Sequence, residues 1–368
     1  MLQRSLRHQP AGTTTGPVRF ARVRDADTTA RDDDRSDRDD PWREPVRGGH
    51  PDPSLTAGPG IDLIRALIAG ETVQPPLSRL TGLRATAVGV GTASFSLPLT
   101  GWLCGADGRI ALGALAIPAD AAIACAIIAG LPPATGLTTT ELALRQIHPA
   151  PPGGLLLARA SVLDLGPPVA LAEVSLTDED GRLIGHGGSL CVTLPVTAAP
   201  AGTDPGDAPA AAPGDLGPDP WERPAPEARS GPGTPAGSPL GRLTGLRPVA
   251  VAPGEATIAL PATRWLCAPP PGRVQGGAVA VLAGAAITAA IDAAAPAGGE
   301  FVPIELKLNY VRPLASDGRE ARAHATLIHG GRRIAVAGAE VVDADGRLIA
   351  VATGSAVAAG GASPVLPG

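Results

Sequence analysis

Two groups of residues have the types and setting to do chemistry. Gln275-Gly276-Gly277 opens AVAVLAGAAITAA, a charge-free run that reads as a helix. At a helix start Gly276 and Gly277 present backbone N–H groups without intrahelical partners, at the positive end of the dipole. Such donors suit a developing oxyanion, and glycine lets a carbonyl come close. The same glycines could instead serve only tight helix–sheet packing. Asp120 stands in IPADAAIACAII, among Ala and Ile. Burial there disfavours the charged form and raises the pKa, a common mark of a carboxylate that attacks or activates water. The competing reading makes Pro118 the first helical residue and Asp120 a first-turn carboxylate that merely complements the dipole.

Other suggestive strings resolve into structure. His329-Gly330-Gly331 lies between two alternating segments and reads as a hairpin turn, where glycine supplies positive φ. His186-Gly187-Gly188 falls inside an alternating strand. Gly89-Val90-Gly91 lacks the strand-to-helix context and later acidic residue of a dinucleotide site, and reads as a turn or strand irregularity. Cys104, Cys125, Cys191 and Cys267 form no C-x-x-C pair and have no His at metal-ligand spacing. They are read as buried thiols of a cytoplasmic protein, and neither a metal nor a cofactor is expected.

The elements that position these residues are built from small aliphatic side chains. Hydrophobic residues are 44% of the 368, yet the chain has only three Phe, four Trp, one Tyr and one Met. The net charge of -5, with Lys307 the single lysine, excludes the basic footprint of a nucleic-acid binder. Val274 to Ile291 lacks charge but is dominated by Ala and Gly, whose membrane transfer is weak, so no membrane partner is expected.

Self-similarity organises the chain. RLTGLR begins at Arg79 and again at Arg242, and WLC at Trp102 and Trp265, both 163 residues apart; DGRLI recurs from Asp180 at Asp345, 165 residues on. Three motifs in near register define two homologous domains, at 61–197 and 239–358. Residues 1–60, with RDDDRSDRDD, are expected to be a disordered tail, 198–238 a Pro/Gly-rich linker and 359–368 a second tail. DPWREP at Asp40 and DPWERP at Asp219 are read as a flanking tail copied by the duplication. Each domain reads as an alternating strand, an Ala-rich helix (about Leu112 to Ala129 and Gly276 to Ala293), then four alternating strands joined by short turns. A helix apolar on all sides must be enclosed, which gives an α+β fold: a long helix wrapped by an antiparallel sheet, two such hot-dog domains in tandem forming an intramolecular pseudo-dimer.

The strings GRVQGGAVAVLAGAAITAA, IELKLNYVRP and VVDADGRLIAVATG resemble the phenylacetate-pathway (PaaI-like) type of hot-dog acyl-CoA thioesterase, over roughly two thirds of the chain. That resemblance implies a His-Gly-Gly motif opening the central helix, an acidic residue nine positions later, and sites shared between paired units. Carried over by residue, Gln275-Gly276-Gly277 stands at the motif in the second copy while Gly284 takes the acidic position; in the first copy Ala111-Leu112-Gly113 replaces the motif while Asp120 keeps the acid. The family's upstream asparagine would fall near Gly105 or Pro269 and is missing. Thr139 matches a hydroxyl position near the carboxylate, though a strand threonine is also simply a β-former. Glu141 and Glu305 occupy one place in both repeats and are read as solvated strand positions. Arg145 and Arg312 are candidates for coenzyme A phosphates, or plain surface arginines. The resemblance implies an acyl-CoA thioesterase with one composite site, Asp120 as base or nucleophile and Gly277 N–H as oxyanion donor, acting on acyl-CoA or another acyl thioester. The alternative is a non-catalytic hot-dog protein binding an acyl-CoA or a partner, and the double unit could assemble further as a homo-oligomer.

Overall fold

The structure, a computed structural model, describes residues 40–51, 55, 58–195, 217–227, 237–297 and 299–359. Helix α1 (Gly60–Ala69) and the short helix α2 (Pro76–Thr81) lead into the first repeat. Its strands are β1 (Arg84–Gly89), β2 (Thr92–Pro98), β3 (Thr135–Gln146), β4 (Leu155–Gly166), β5 (Val169–Thr177) and β6 (Leu183–Pro195), with helix α3 (Leu112–Ile128) after β2. The second repeat follows the same plan: α4 (Pro239–Thr244), β7 (Arg247–Ala252), β8 (Glu255–Pro261), α5 (Gly276–Ala294), β9 (Phe301–Tyr310), β10 (Glu320–Gly330), β11 (Ile334–Val342) and β12 (Leu348–Ala358). The expectation of one strand before each helix is corrected to a hairpin of two. The Gly89-Val90-Gly91 string makes the first of these turns, with Gly91 at φ 71.

All twelve strands join one antiparallel sheet, β1-β2-β4-β5-β6-β3-β9-β12-β11-β10-β8-β7. Exchanging the repeats reverses this order onto itself. The repeats meet where β3 pairs β9, with Glu141 opposite Asn309 and Arg145 opposite Glu305. Ala143 and Lys307, equivalent residues of the two repeats, are paired with each other there, so the pseudo-twofold axis passes through them. Glu141 and Glu305 are therefore not simply solvated. They sit on the seam and form ion pairs across it, Glu141 with Lys307 at 3.0 Å and Glu305 with Arg145 at 3.6 Å. Partial exposure keeps each worth below about 1 kcal/mol.

Helices α3 and α5 lie against the sheet inside one core that runs through both repeats. Their Ala- and Gly-rich faces bring backbones together: a Cβ on Gly277 would meet Ala116 O at 2.6 Å, and one on Gly113 would meet Val281 Cα at 2.9 Å. Bulky side chains at these positions would separate the helices. Helix α5 has the length and hydropathy of a membrane span, but 67% of that window is buried within the fold.

The repeated motifs prove to be docking sites. In RLTGLR, Thr81 and Thr244 donate to Leu77 and Leu240 carbonyls at 2.7 Å, and Gly82 and Gly245 close α2 and α4 in the left-handed region, at φ 81 and 87. Against Gly82 lies Trp221; against Gly245 lies Trp42. The tryptophans of WLC hold the same two segments: Trp102 Nε1 donates to Arg223 O at 2.9 Å and Trp265 Nε1 to Glu44 O at 3.0 Å. The segment ahead of the first repeat thus packs on the second, and the segment after the first packs back on the first. Glu44 and Arg223 pair directly, and Arg47 donates to Pro218 O at 2.7 Å, tying the two segments to each other. The reading of 1–60 and 198–238 as disordered tethers is corrected for 40–51 and 217–227, because indole burial and charge pairing hold them. The remainder of that expectation at 1–39, 52–54, 56–57, 198–216 and 228–236, and the tail beyond 359, lie outside the described residues.

The histidine strings behave differently from one another. His186 lies within β6, as expected. His329 and Gly330 are the last residues of β10, and neither Gly330 nor Gly331 has positive φ. The turn is shifted to Gly331–Arg333, because the register slips by one residue between Leu327 and His329.

Candidate functional site

Asp120 and the Gly276-Gly277 helix start, though on different repeats, come together where α3 crosses α5. Pro118 is inside α3, not at its start, and Asp120 lies two turns in, so the first-turn dipole reading is overturned. A proline here costs about 3 kcal/mol of helix stability, which a mostly buried helix offsets through packing. Gly277 N–H donates to Asp120 Oδ2 at 3.2 Å, and Thr139 Oγ donates to Asp120 Oδ1 at 3.4 Å. A Cβ on Gly276 would stand 3.1 Å from Asp120 Oδ2, so glycine also makes room for the carboxylate. Close packing of these glycines and donation by the Gly277 N–H to Asp120 are both present at this helix start.

The carboxylate is only 5% exposed. Burial pushes its pKa up to about 6, against the opposing hydrogen bonds from Gly277 N–H, Thr139 Oγ and Gly276 N–H. Near neutral pH it is ionised yet readily protonated, as acid–base work requires. Gln275 does not point its amide at Asp120: Nε2 donates to Ile117 O at 3.0 Å, across the repeat boundary, and Oε1 is buried with no hydrogen bond. Arg145 is engaged by Glu305, and Arg312 donates to Leu348 O at 2.9 Å.

Sequence reasoning missed Tyr310, Cys191 and Ser189. Tyr310, the last residue of β9, donates to Gly276 O at 2.8 Å and is so enclosed that its phenol is raised well above the ordinary value by burial, then by the charges of Asp120 and Cys191. Cys191 Sγ stands 3.9 Å from Thr139 Oγ and 3.6 Å from Ser189 Oγ, and burial raises its thiol too. The single tyrosine of the chain, in an otherwise aliphatic alternating strand, was the available signal. Among the described residues no group of three or more His, Cys, Asp or Glu is disposed to hold a metal.

The same crossing carries a second, pseudo-equivalent place where the corresponding residues are Gly113 and Gly284. Here Gly284 stands for Asp120, Pro303 for Thr139, Gln146 for Tyr310 and Ala356 for Cys191. Every polar side chain of the Asp120 cluster that could assist hydrolysis is replaced. A cavity of about 130 Å³ opens at this degenerate place.

Comparison with known proteins bears on this geometry. Residues 271–350 match the family model described as thioesterase superfamily. A search of the curated proteins returned no match. Among solved structures, a conserved protein of unknown function with hot dog fold from Alicyclobacillus acidocaldarius is similar at 14% identity, covering 80% of this chain and 100% of that one, TM-score 0.51. The tesB protein of Mycobacterium avium subs paratuberculosis is similar at 13% identity, covering 77% and 98%, TM-score 0.50. The phenylacetic acid degradation protein PaaI from Thermus thermophilus is 30% identical over 33% of this chain and 98% of its own, TM-score 0.30. Coverage of three quarters or more by the first two structures takes in both repeats. The chain has the hot-dog fold, and within its second repeat residues 271–350 match the thioesterase superfamily.

Proposed function

We propose that the protein hydrolyses an acyl thioester, such as an acyl-CoA, to the free acid and thiol at one composite site between its repeats. The observation that carries this reading is the Asp120 carboxylate of the first repeat set on the Gly277 N–H of the second, 3.2 Å away. In the free protein the donors hold the carboxylate. A substrate carbonyl that takes the Gly277 N–H frees Asp120, whose basicity rises as it loses that bond. Asp120 then either takes a proton from water as the hydroxide attacks the carbonyl carbon, and passes that proton to the sulfur as the C–S bond breaks, or attacks the carbonyl carbon directly. On the direct route the C–S bond breaks to give the thiolate and an aspartyl anhydride, which water hydrolyses to the free acid and the restored carboxylate, its proton going to the thiolate. Thr139 orients the carboxylate, and the four free cysteines fit a reducing, cytoplasmic setting.

The test is thiol release across a panel of acyl-CoA substrates. Asp120→Asn should lower turnover by about 100-fold or more while retaining binding of a non-hydrolysable analogue. Undiminished turnover in that variant would refute the site. A second reading, a binding protein without turnover, draws on the enclosure of Asp120 and on Gln275, whose Nε2 donates to Ile117 O. Absence of turnover by the unmodified protein on every substrate would select it.

A further inference from the structure

The cavity at Gly113 and Gly284 belongs to neither the Asp120 cluster nor the reaction assigned to it. It exists because the duplication has lost bulk on one side only. The carboxylate, hydroxyl and phenol that fill the Asp120 place are replaced here by Gly284, Pro303 and Gln146, and the removed volume is open. Its walls are the start of α3, the second half of α5 and the start of β9, with Ile110, Leu112, Val281, Ile287, Phe301 and Leu306 giving an apolar lining. No carboxylate stands at the Gly284 position, so a ligand held there meets no nucleophile equivalent to Asp120. A volume near 130 Å³ matches the scale, about 150 Å³, of apolar cavities that admit a benzene-sized molecule.

The polar end is built from Arg109, Asp107 and Asp292 on the lining, with Glu300 beside them. Arg109 Nη2 pairs with Glu300 at 2.5 Å, and its Nη1 lies 3.8 Å from Asp107, beyond hydrogen-bond reach. That Nη1 is buried and donates to nothing. The guanidinium is thus neutralised in charge but keeps a free donor. Two carboxyl groups stand against the one cation, and Asp292 adds a third on the same lining. Burial, and after it the charges of Asp107 and Glu300, pushes the Asp292 carboxyl up to about 6. This field repels an anion, while the buried donor calls for an acceptor oxygen.

We propose that this cavity binds a compact apolar molecule ending in a neutral carbonyl, such as an aryl or short alkyl ketone, ester or amide, and holds it without cleaving it. Anionic acids and the phosphates of coenzyme A are excluded from its mouth by charge. The proposal stands apart from the thioesterase reading, since binding is measured without turnover.

The experiment is calorimetric or ligand-observed NMR titration of the full chain with three monosubstituted benzenes: acetophenone, toluene and benzoate. Acetophenone should saturate at one per chain. Toluene, lacking the acceptor, should bind on the order of tenfold more weakly. Benzoate should be weaker than acetophenone by about tenfold or more because of the nearby carboxylates. Arg109→Met should bring acetophenone down to the affinity of toluene while leaving toluene unchanged. Ala285→Leu, which fills the cavity from α5, should abolish acetophenone binding and leave any thioester hydrolysis as it was. Thr288→Leu, one turn further along the same wall, serves the same purpose if Ala285→Leu unfolds by circular dichroism. No saturable acetophenone binding, benzoate binding tighter than acetophenone, or binding that survives both filling variants would overturn the proposal. Loss of hydrolysis in a folded cavity-filled variant would overturn the separation of this site from the Asp120 site.

Discussion

Replacing Asp120 by asparagine should stabilise the protein in a pH-dependent way, even as it removes the proposed base. The folded-state pKa of this carboxyl is raised from 3.8 to about 6, chiefly by burial. Below the lower value the group is protonated whether the chain is folded or not, and the two states do not differ. Between the two values the folded protein binds more protons than the unfolded chain, so stability falls as pH rises. Above about 6 the whole penalty of holding a buried charge is present, corresponding to about 3 kcal/mol. Asparagine carries no such penalty and keeps an oxygen to accept from Gly277 N–H, although a neutral acceptor binds that donor less strongly. The variant should therefore match the parent near about pH 4 and exceed it by roughly 1–3 kcal/mol near about pH 7.5. Urea unfolding of both proteins, followed by fluorescence of the tryptophans across this range, measures the difference. A gap that does not change with pH, or a variant less stable than the parent near neutrality, would refute the account of Asp120 as a desolvated carboxylate.

Two further outcomes test how the site is held. Gly277→Ala places a methyl 2.6 Å from Ala116 O and 2.7 Å from Ile117 Cα, both backbone atoms, and should cost about 1–3 kcal/mol by forcing α3 and α5 apart, read by the same unfolding measurement. Removing residues 40–47 strips Trp42 from Gly245, the Glu44 carbonyl from Trp265 and the Arg47 bonds to Pro218; it should lower stability by several kcal/mol and raise proteolysis at 217–227, whereas unchanged resistance would show the packed segments to be superficial.

The order of elements and the place of the site were legible because they are written locally or periodically. Motifs returning at offsets of 163 to 165 record a duplication directly, and an uncharged Ala/Gly run can only be a helix that is enclosed. The reciprocal pattern at Asp120/Gly284 and Ala111/Gln275, read through the family resemblance, pointed to residues that the fold brings within a hydrogen bond. What only the tertiary structure decided lies in contacts between distant parts of the chain. Trp42 docks on Gly245 and Trp221 on Gly82, and no local signal in DPWREP or DPWERP says which repeat each segment meets. Pro118 argues locally for a helix start, yet burial of most of α3 outweighs the lost backbone bond. Glu141 and Glu305 look alike in sequence, but the β3–β9 register sets one against Lys307 and the other against Arg145. Tyr310 fills one half of the crossing where Gln146 leaves the other open. Composition cannot express that difference, since whether a side chain closes a site or leaves a cavity depends on the volume the opposing helix has left.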